Sequence, residues 1–244
     1  MITAEQFSQF AASRRTTRDF LPTPVAPELI DAILTDAMTA PSWSNTRGYL
    51  VGIATGAKRD RISAELMRRW NLLAAGRAGG LWAKIKLVLG WDGLPISDYR
   101  IVRPYPKELR PRSARVGKEL YGMLGIDRGN AKARDAQWGK NYEFFGAPVA
   151  LFIFTHKGLD EYSVSDAGLF MQNLMLSAHA RGLGTCAQGA VAIWAKPIRR
   201  EFKVPKGYKL LTGIALGYPA DSLVNTFQAN RPEISEMKLE SAIE

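Results

Sequence analysis

The chain has 244 residues, 46% of them apolar, a formal charge of +10, one cysteine and two histidines. That supplies one large core and excludes an intramolecular disulfide and a cysteine-rich metal site; His156 and His179, far apart and near no acidic cluster, argue against zinc. No run of roughly 18 apolar residues is free of charge, and Met1 to Phe10 lacks the basic-then-apolar pattern of a leader, so a cytoplasmic protein without a membrane partner is expected.

Residues 3–12 and 27–39 carry amphipathic helical patterns, the second opened by Pro27 with Glu28 near its positive end. Between them, Arg14-Arg15-Thr16-Thr17-Arg18 sets three guanidiniums and two hydroxyls ahead of the apolar turn Phe20-Leu21-Pro22. Arginine forks match phosphate oxygens and hydroxyls add short neutral donors, although an ordinary solvated basic face has the same composition. Ala40-Pro41-Ser42-Trp43-Ser44-Asn45 breaks the second helix into a loop, and Tyr49–Ala54 has the pattern of a strand, followed by a helix over about 58–74. Residues 76–110 are irregular and enclose an apolar piece, Leu81 to Leu89; this excursion reads as a lid or an interface arm.

Helices are expected near 112–124 and 130–140. Val149 to Thr155 is a continuous apolar run of strand length, hence a central strand buried on both faces. Ser165-Asp166 reads as the cap of a helix running to Arg181 and stopped by Gly182 and Gly184. Its apolar residues lie nearly all round, which assigns it to the core. A helix at 195–202 and a strand at Leu210–Tyr218 follow, and the tail from Ala220 is polar and extended. Strands scattered among helices indicate α+β. No Gly-x-Gly-x-x-Gly and no P-loop are present, so any nucleotide is held in neither a Rossmann nor a Walker manner.

The positive charge is partly concentrated between Arg100 and Arg134. No finger, RNP-like strand or basic-heptad motif accompanies it, so nucleic acid is not the expected partner; an anionic cofactor and anionic substrates account for the charge equally well.

Four blocks, taken in order, resemble the FMN-dependent nitroreductase superfamily: Arg14 to Phe20; Ala40 to Asn45; Asp166 to Gln188, with Gln172-Asn173-Leu174-Met175-Leu176 and Arg181-Gly182-Leu183-Gly184; and Gly213 to Tyr218, continuing through Val224-Asn225 to Arg231-Pro232. Leu120 to Ile126 together with Asn141 to Pro148 resembles a nitrobenzoate-reductase-type branch. The resemblance covers the chain as a single FMN-binding domain, 1–244, with the excursion at 76–110 largely unmatched. It departs at Thr46-Arg47-Gly48-Tyr49, where relatives commonly read Gln-Pro-Trp, at Glu143, where this branch commonly has arginine, and at Ala229, where some relatives have a basic residue.

The resemblance implies a central mixed sheet flanked by helices, and a homodimer with FMN at the subunit interface and an extended C-terminal tail wrapping the partner. It also implies a ping-pong cycle in which NADPH or NADH reduces the flavin and a small aromatic acceptor, a nitroaromatic or a quinone, is then reduced. Arg14, Arg15 and Thr16 would contact phosphate and ribityl groups, Arg231 would close on the phosphate, and Arg18 would sit at the pyrimidine edge, where a cation favours the electron-rich ring. Pro41, Ser42, Trp43 and Asn45 would reach the partner's flavin. Asn141 would approach the pyrimidine edge, and the backbone of Gln188, Gly189 and Ala190 would pass flavin N5. No side chain serves as a nucleophile. Trp43 is alternatively a packed loop aromatic, and Asn141 a local cap; Cys186 and His179 read as structural, His156 as a surface residue. Trp82, Trp91, Tyr99 and Tyr105 either pack the excursion or wall the substrate pocket. A dehalogenase or dehydrogenase on the same scaffold and a basic binding protein are the other readings.

Overall fold

A computed structural model describes residues 2–79, 85 and 94–239. Four strands, β1 (Tyr49–Thr55), β2 (Val149–His156), β3 (Gly184–Gln188) and β4 (Tyr208–Gly217), form one sheet in the order β1-β2-β4-β3. β2 is central and buried from Val149 to Thr155, as its unbroken apolar run predicts. Its side chains alternate between two cores, Ala150, Phe152 and Phe154 on one face and Val149, Leu151 and Ile153 on the other.

Helices cover both faces. On the second core lie α2 (Pro27–Ala37) and α6 (Asp160–Ala180), which bury Ile30, Ile33, Phe170 and Leu174. Asp36 ties them together, accepting from Ser177 Oγ and Arg181 Nη1, each at 2.7 Å. On the first core lie α3 (Gly56–Ala78), α7 (Ala195–Arg200) and the turn Lys140–Gly146, with Ile62, Leu66, Tyr142, Phe144, Trp194 and Ile198. α1 (Ala4–Ser13), α4 (Arg110–Met123) and α5 (Ala131–Gly139) complete the described helices. None of the described helices is long and apolar enough to cross a membrane.

Three expectations change. The sheet is antiparallel in all three pairings; among the described residues, parallel pairing is limited to two single bridges, Thr16 with Thr185 beside β3 and Ile96 with Trp194 outside the strands. α6 begins at Asp160, not at Ser165: Asp160 and Glu161 supply the negative charge its first turn favours, and Asp166 lies inside the helix with its carboxylate committed elsewhere. Nor is α6 buried all round, since Tyr162 and Leu169 are exposed opposite the core face. The tail from Ala220 is held to its own chain by Asn225, by Gln228 Nε2 donating to Ala12 O at 3.1 Å, and by Glu236 paired with Arg112. The apolar piece at Leu81–Leu89 lies outside the described residues except for Ile85, as do Trp82 and Trp91. Tyr99 packs on the sheet, its hydroxyl 2.6 Å from Thr155 Oγ1, and Tyr105 is exposed.

Candidate functional site

Beyond its C-cap at Arg14, α1 passes into extended chain that runs beside the edge strand β3. Thr17 N donates to Thr185 O at 3.0 Å, and Gly184 makes the approach possible, because a Cβ there would stand 2.2 Å from Thr17 Oγ1. Thr16 and Thr17 are thereby fixed along β3, with Arg14 at one end of the segment and Arg18 at the other.

Arg14 is half-buried. Burial first, and the charge of Arg231 second, hold its pKa below the ordinary arginine value. Neither guanidinium has a carboxylate partner among the described residues; that of Arg231 donates only to Ala229 O, at 2.8 Å. His179, on the last turn of α6, stacks on Phe10 with ring centroids 5.2 Å apart and shares a 2.7 Å hydrogen bond with Ser13 Oγ. Burial, and then Arg14, lower its pKa, so the imidazole adds a neutral surface to a cationic corner. Two like charges held together in partial burial form a site that an anion stabilises.

Asn225 fixes the other end of the segment. Its Oδ1 accepts from Arg18 N at 2.7 Å, while Nδ2 donates to Asp19 O at 2.8 Å and to Ala220 O at 2.9 Å. Arg18 lies with its Cζ 6.0 Å from the centroid of the Phe227 ring. Its charge also reaches Cys186, whose buried thiol is nevertheless pushed up to about 11. That thiol is a core group, as its sequence setting suggests.

At the end of β3, Gln188 is buried and its Nε2 donates to Asn141 O at 2.8 Å, while Ala187, Gly189 and Ala190 reach the surface to differing extents. Asn141 Nδ2 donates to Trp138 O at 2.9 Å, the local contact weighed for it. The turn carrying Asn141 continues through Phe144 and Phe145, both at positive φ, 54° and 53°, conformations that a non-glycine residue adopts at a cost of about 1–3 kcal/mol each. Arg59 holds it by donating to Ala147 O at 3.1 Å and Glu143 O at 2.6 Å, with Ser63 Oγ on Tyr142 O at 2.9 Å.

The second group of predicted residues lies elsewhere. Trp43 N donates to Asp166 Oδ1 at 2.9 Å, its indole stacks on Tyr162 with centroids 4.3 Å apart, and 53% of the residue stays exposed. Ser44, Asn45 and Arg47 all have positive φ, held by Arg47 N on Ser42 Oγ and by Arg47 Nη1 on Asn45 Oδ1. Pro41 is exposed at the start of this loop. Asp166 and His179 mark the two ends, and at 1.5 Å per helical residue the loop stands about 20 Å along α6 from the Arg14 corner. One chain therefore assembles Arg14, Thr16, Arg18, Asn141, Gln188 and Arg231 along β3, with Arg15 exposed beside them, and leaves Pro41, Ser42, Trp43 and Asn45 apart.

Sequence reasoning gave Asp166 a different role, as a helix cap, named Asn225 only within a family block, and assigned none to Arg59. Their partners are main-chain atoms far along the chain, which residue spacing does not reveal. A groove of about 620 Å³ between Pro24, Ile53, Arg59 and Pro148 shares no lining residue with the strip along β3, and its arginine is paired with Asp60.

A model described as the nitroreductase family matches residues 11–218. A 4-nitrobenzoate reductase of Pseudomonas putida is 33% identical over 228 residues, 93% of this chain and 92% of its own. A nitrobenzene nitroreductase of Ectopseudomonas oleovorans is 29% identical over 240 residues, 98% and 96% of the two chains. Among solved structures, the FMN-dependent nitroreductase NfnB from Mycobacterium smegmatis in complex with NADPH superposes with a TM-score of 0.80 at 28% identity, covering 98% of this chain and 99% of that one.

Proposed function

This chain belongs to the nitroreductase family, and from that premise we propose that it is an FMN-dependent oxidoreductase that uses NAD(P)H to reduce small nitroaromatic or quinone-like acceptors. The observation that carries the reading is the corner formed by Arg14 and Arg231, two guanidiniums without a carboxylate at the end of the Thr16–Thr185 pairing. It fits a phosphomonoester, whose oxygens accept from both forks.

When bound, FMN supplies hydride transfer, taking reducing equivalents from the nicotinamide and passing them to the acceptor in alternation. The chain does the rest. Arg14 and Arg231 hold the phosphate, with Arg15 beside them, and Thr16 sits where the ribityl chain would leave it. Arg18, fixed through its own backbone by Asn225, presents a cation to the electron-rich edge of the ring system. Gly189 and Ala190 begin a 3₁₀ turn, so their N–H groups lack intrahelical partners and are free to meet a ring nitrogen. Asn141 approaches the pyrimidine edge from the facing turn.

The remote loop of Pro41, Ser42, Trp43 and Asn45 completes the reading. With about 20 Å of α6 between it and the phosphate corner, it serves the flavin of a second copy, in a homodimer whose two sites each draw on both protomers. The tail from Ala220, tied to its own chain through Asn225, Gln228 and Glu236, would lie against that partner with its outer face, and residues 1–244 act as one domain. A single buried cysteine suits a cytoplasmic setting. The test is the visible spectrum of purified protein before and after anaerobic NADPH or NADH. Flavin bands that bleach support the proposal; colourless protein that takes up no added FMN overturns it.

A further inference from the structure

Gln188 ends β3 with only 2% of its surface exposed, opposite Gly213 in the register. The turn that follows folds tightly back on β4: a Cβ on Gly213 would stand 2.4 Å from Val191 Cγ2. Ala187 and Gly189 face outward on either side, so a ligand lying over this strand end meets backbone and not the glutamine amide.

The amide points instead into the protein. Its Nε2 lies 2.8 Å from Asn141 O and 3.4 Å from Asn141 Oδ1. A carbonyl only accepts, so the nitrogen must be the end that faces it. Oε1 is then left buried without a donor. Among the described residues, the contacts of Gln188 Nε2 are the hydrogen bonds that join the end of β3 to the Lys140–Gly146 turn. Methionine would fill the same length without stranding an oxygen, so packing alone does not explain an amide here.

We propose that Gln188 is a positioning residue: its amide sets the distance between the Asn141 turn and the Gly189–Ala190 backbone, the two walls between which the flavin ring is held. The inference rests on the flavin reading above. The Gln188 amide acts through Asn141 and its own strand end, without itself touching the cofactor.

The test uses full-length, FMN-loaded protein carrying Gln188→Met or Gln188→Glu. Gln188→Met retains stoichiometric FMN and melts close to wild type, because removing the stranded oxygen offsets the loss of the donor to Asn141 O. Its kcat falls about tenfold or more while the acceptor KM stays within about twofold, since loosened geometry costs the chemical step and spares binding. Its flavin absorption maxima shift as well. In Gln188→Glu an ionised carboxylate repels Asn141 O, whereas the protonated acid donates to it. That variant therefore regains kcat as pH falls, a response that filling space cannot produce. FMN-loaded Gln188→Met with wild-type kcat and spectrum overturns the proposal alone, as does a Gln188→Glu pH profile parallel to wild type. A wild-type chain that takes up no FMN overturns the flavin reading and this proposal together.

Discussion

Arg14 and Arg231 come close enough for the second charge to depress the pKa of the first, although 217 sequence positions separate them and no carboxylate lies between them among the described residues. A folded chain tolerates that repulsion at some cost, and an anion removes it. Replacing either residue with alanine deletes one charge-assisted contact, worth about 1.5–3 kcal/mol, so FMN affinity falls about tenfold to a hundredfold. Fluorescence titration with free FMN measures it. Affinity within twofold of wild type for both variants would remove the phosphate assignment.

Asp166 anchors the Trp43 loop. Asp166→Ala deletes the acceptor of Trp43 N together with Oδ2, which is buried without a partner. The two effects oppose each other, so the net global loss is small, under about 2 kcal/mol. The loop itself loses its tether. Limited trypsin digestion then cuts after Arg47 several-fold faster than in wild type, and equal cleavage rates would show that the loop is held by other means.

Burial disfavours the Cys186 thiolate and pushes its pKa up to about 11 in the fold, with the charge of Arg18 opposing. An unfolded thiol ionises near 9, so its share of stability is present below pH 9 and is lost as pH rises from 9 toward 11. At pH 8 the thiol reacts with Ellman's reagent only as fast as the protein unfolds. Prompt stoichiometric labelling of folded protein would contradict that account.

Arg100, Arg103, Lys107, Arg110, Arg115 and Lys118 have no carboxylate partner among the described residues; in the same stretch only Arg112 is paired, with Glu236. All six are exposed, so these charges face solvent. A dinucleotide carrying an additional phosphate is expected to feel these charges more strongly than one without it. Raising salt from about 50 to 500 mM therefore lowers kcat/KM for NADPH by about an order of magnitude, and lowers it less for NADH. Steady-state kinetics across that range is the check, and parallel curves for the two nucleotides would count against it.

Much of this was legible in the residues. The unbroken run from Val149 to Thr155 announces a strand with two apolar neighbours, and it packs against both cores. The basic cluster from Arg14 to Arg18 was visible in the residues, but its composition also suits a solvated face, and only the family resemblance brought Arg231 beside it. Ser165-Asp166 misled for a physical reason: a carboxylate that resembles a cap is also suited to a distant amide, and tertiary contact with Trp43 won. The left-handed backbones of Phe144 and Phe145 leave no signal, because no glycine marks them and Arg59, more than eighty positions away, holds the turn. Strand direction was equally hidden, since a run buried on both faces reads the same in a parallel or an antiparallel sheet.

The separation along α6 also has a genetic consequence. Consider a chain disabled at Arg14 paired with one disabled at Trp43. In the homodimer proposed above, their heterodimer would collect both lesions in one site. The other would take its phosphate corner from the chain altered at Trp43 and its loop from the chain altered at Arg14, and both of those parts would be intact. Two disabled alleles expressed together would therefore restore one working site in each mixed dimer, whereas Arg14 and Arg231 variants, which alter the same corner, would not rescue one another to that extent.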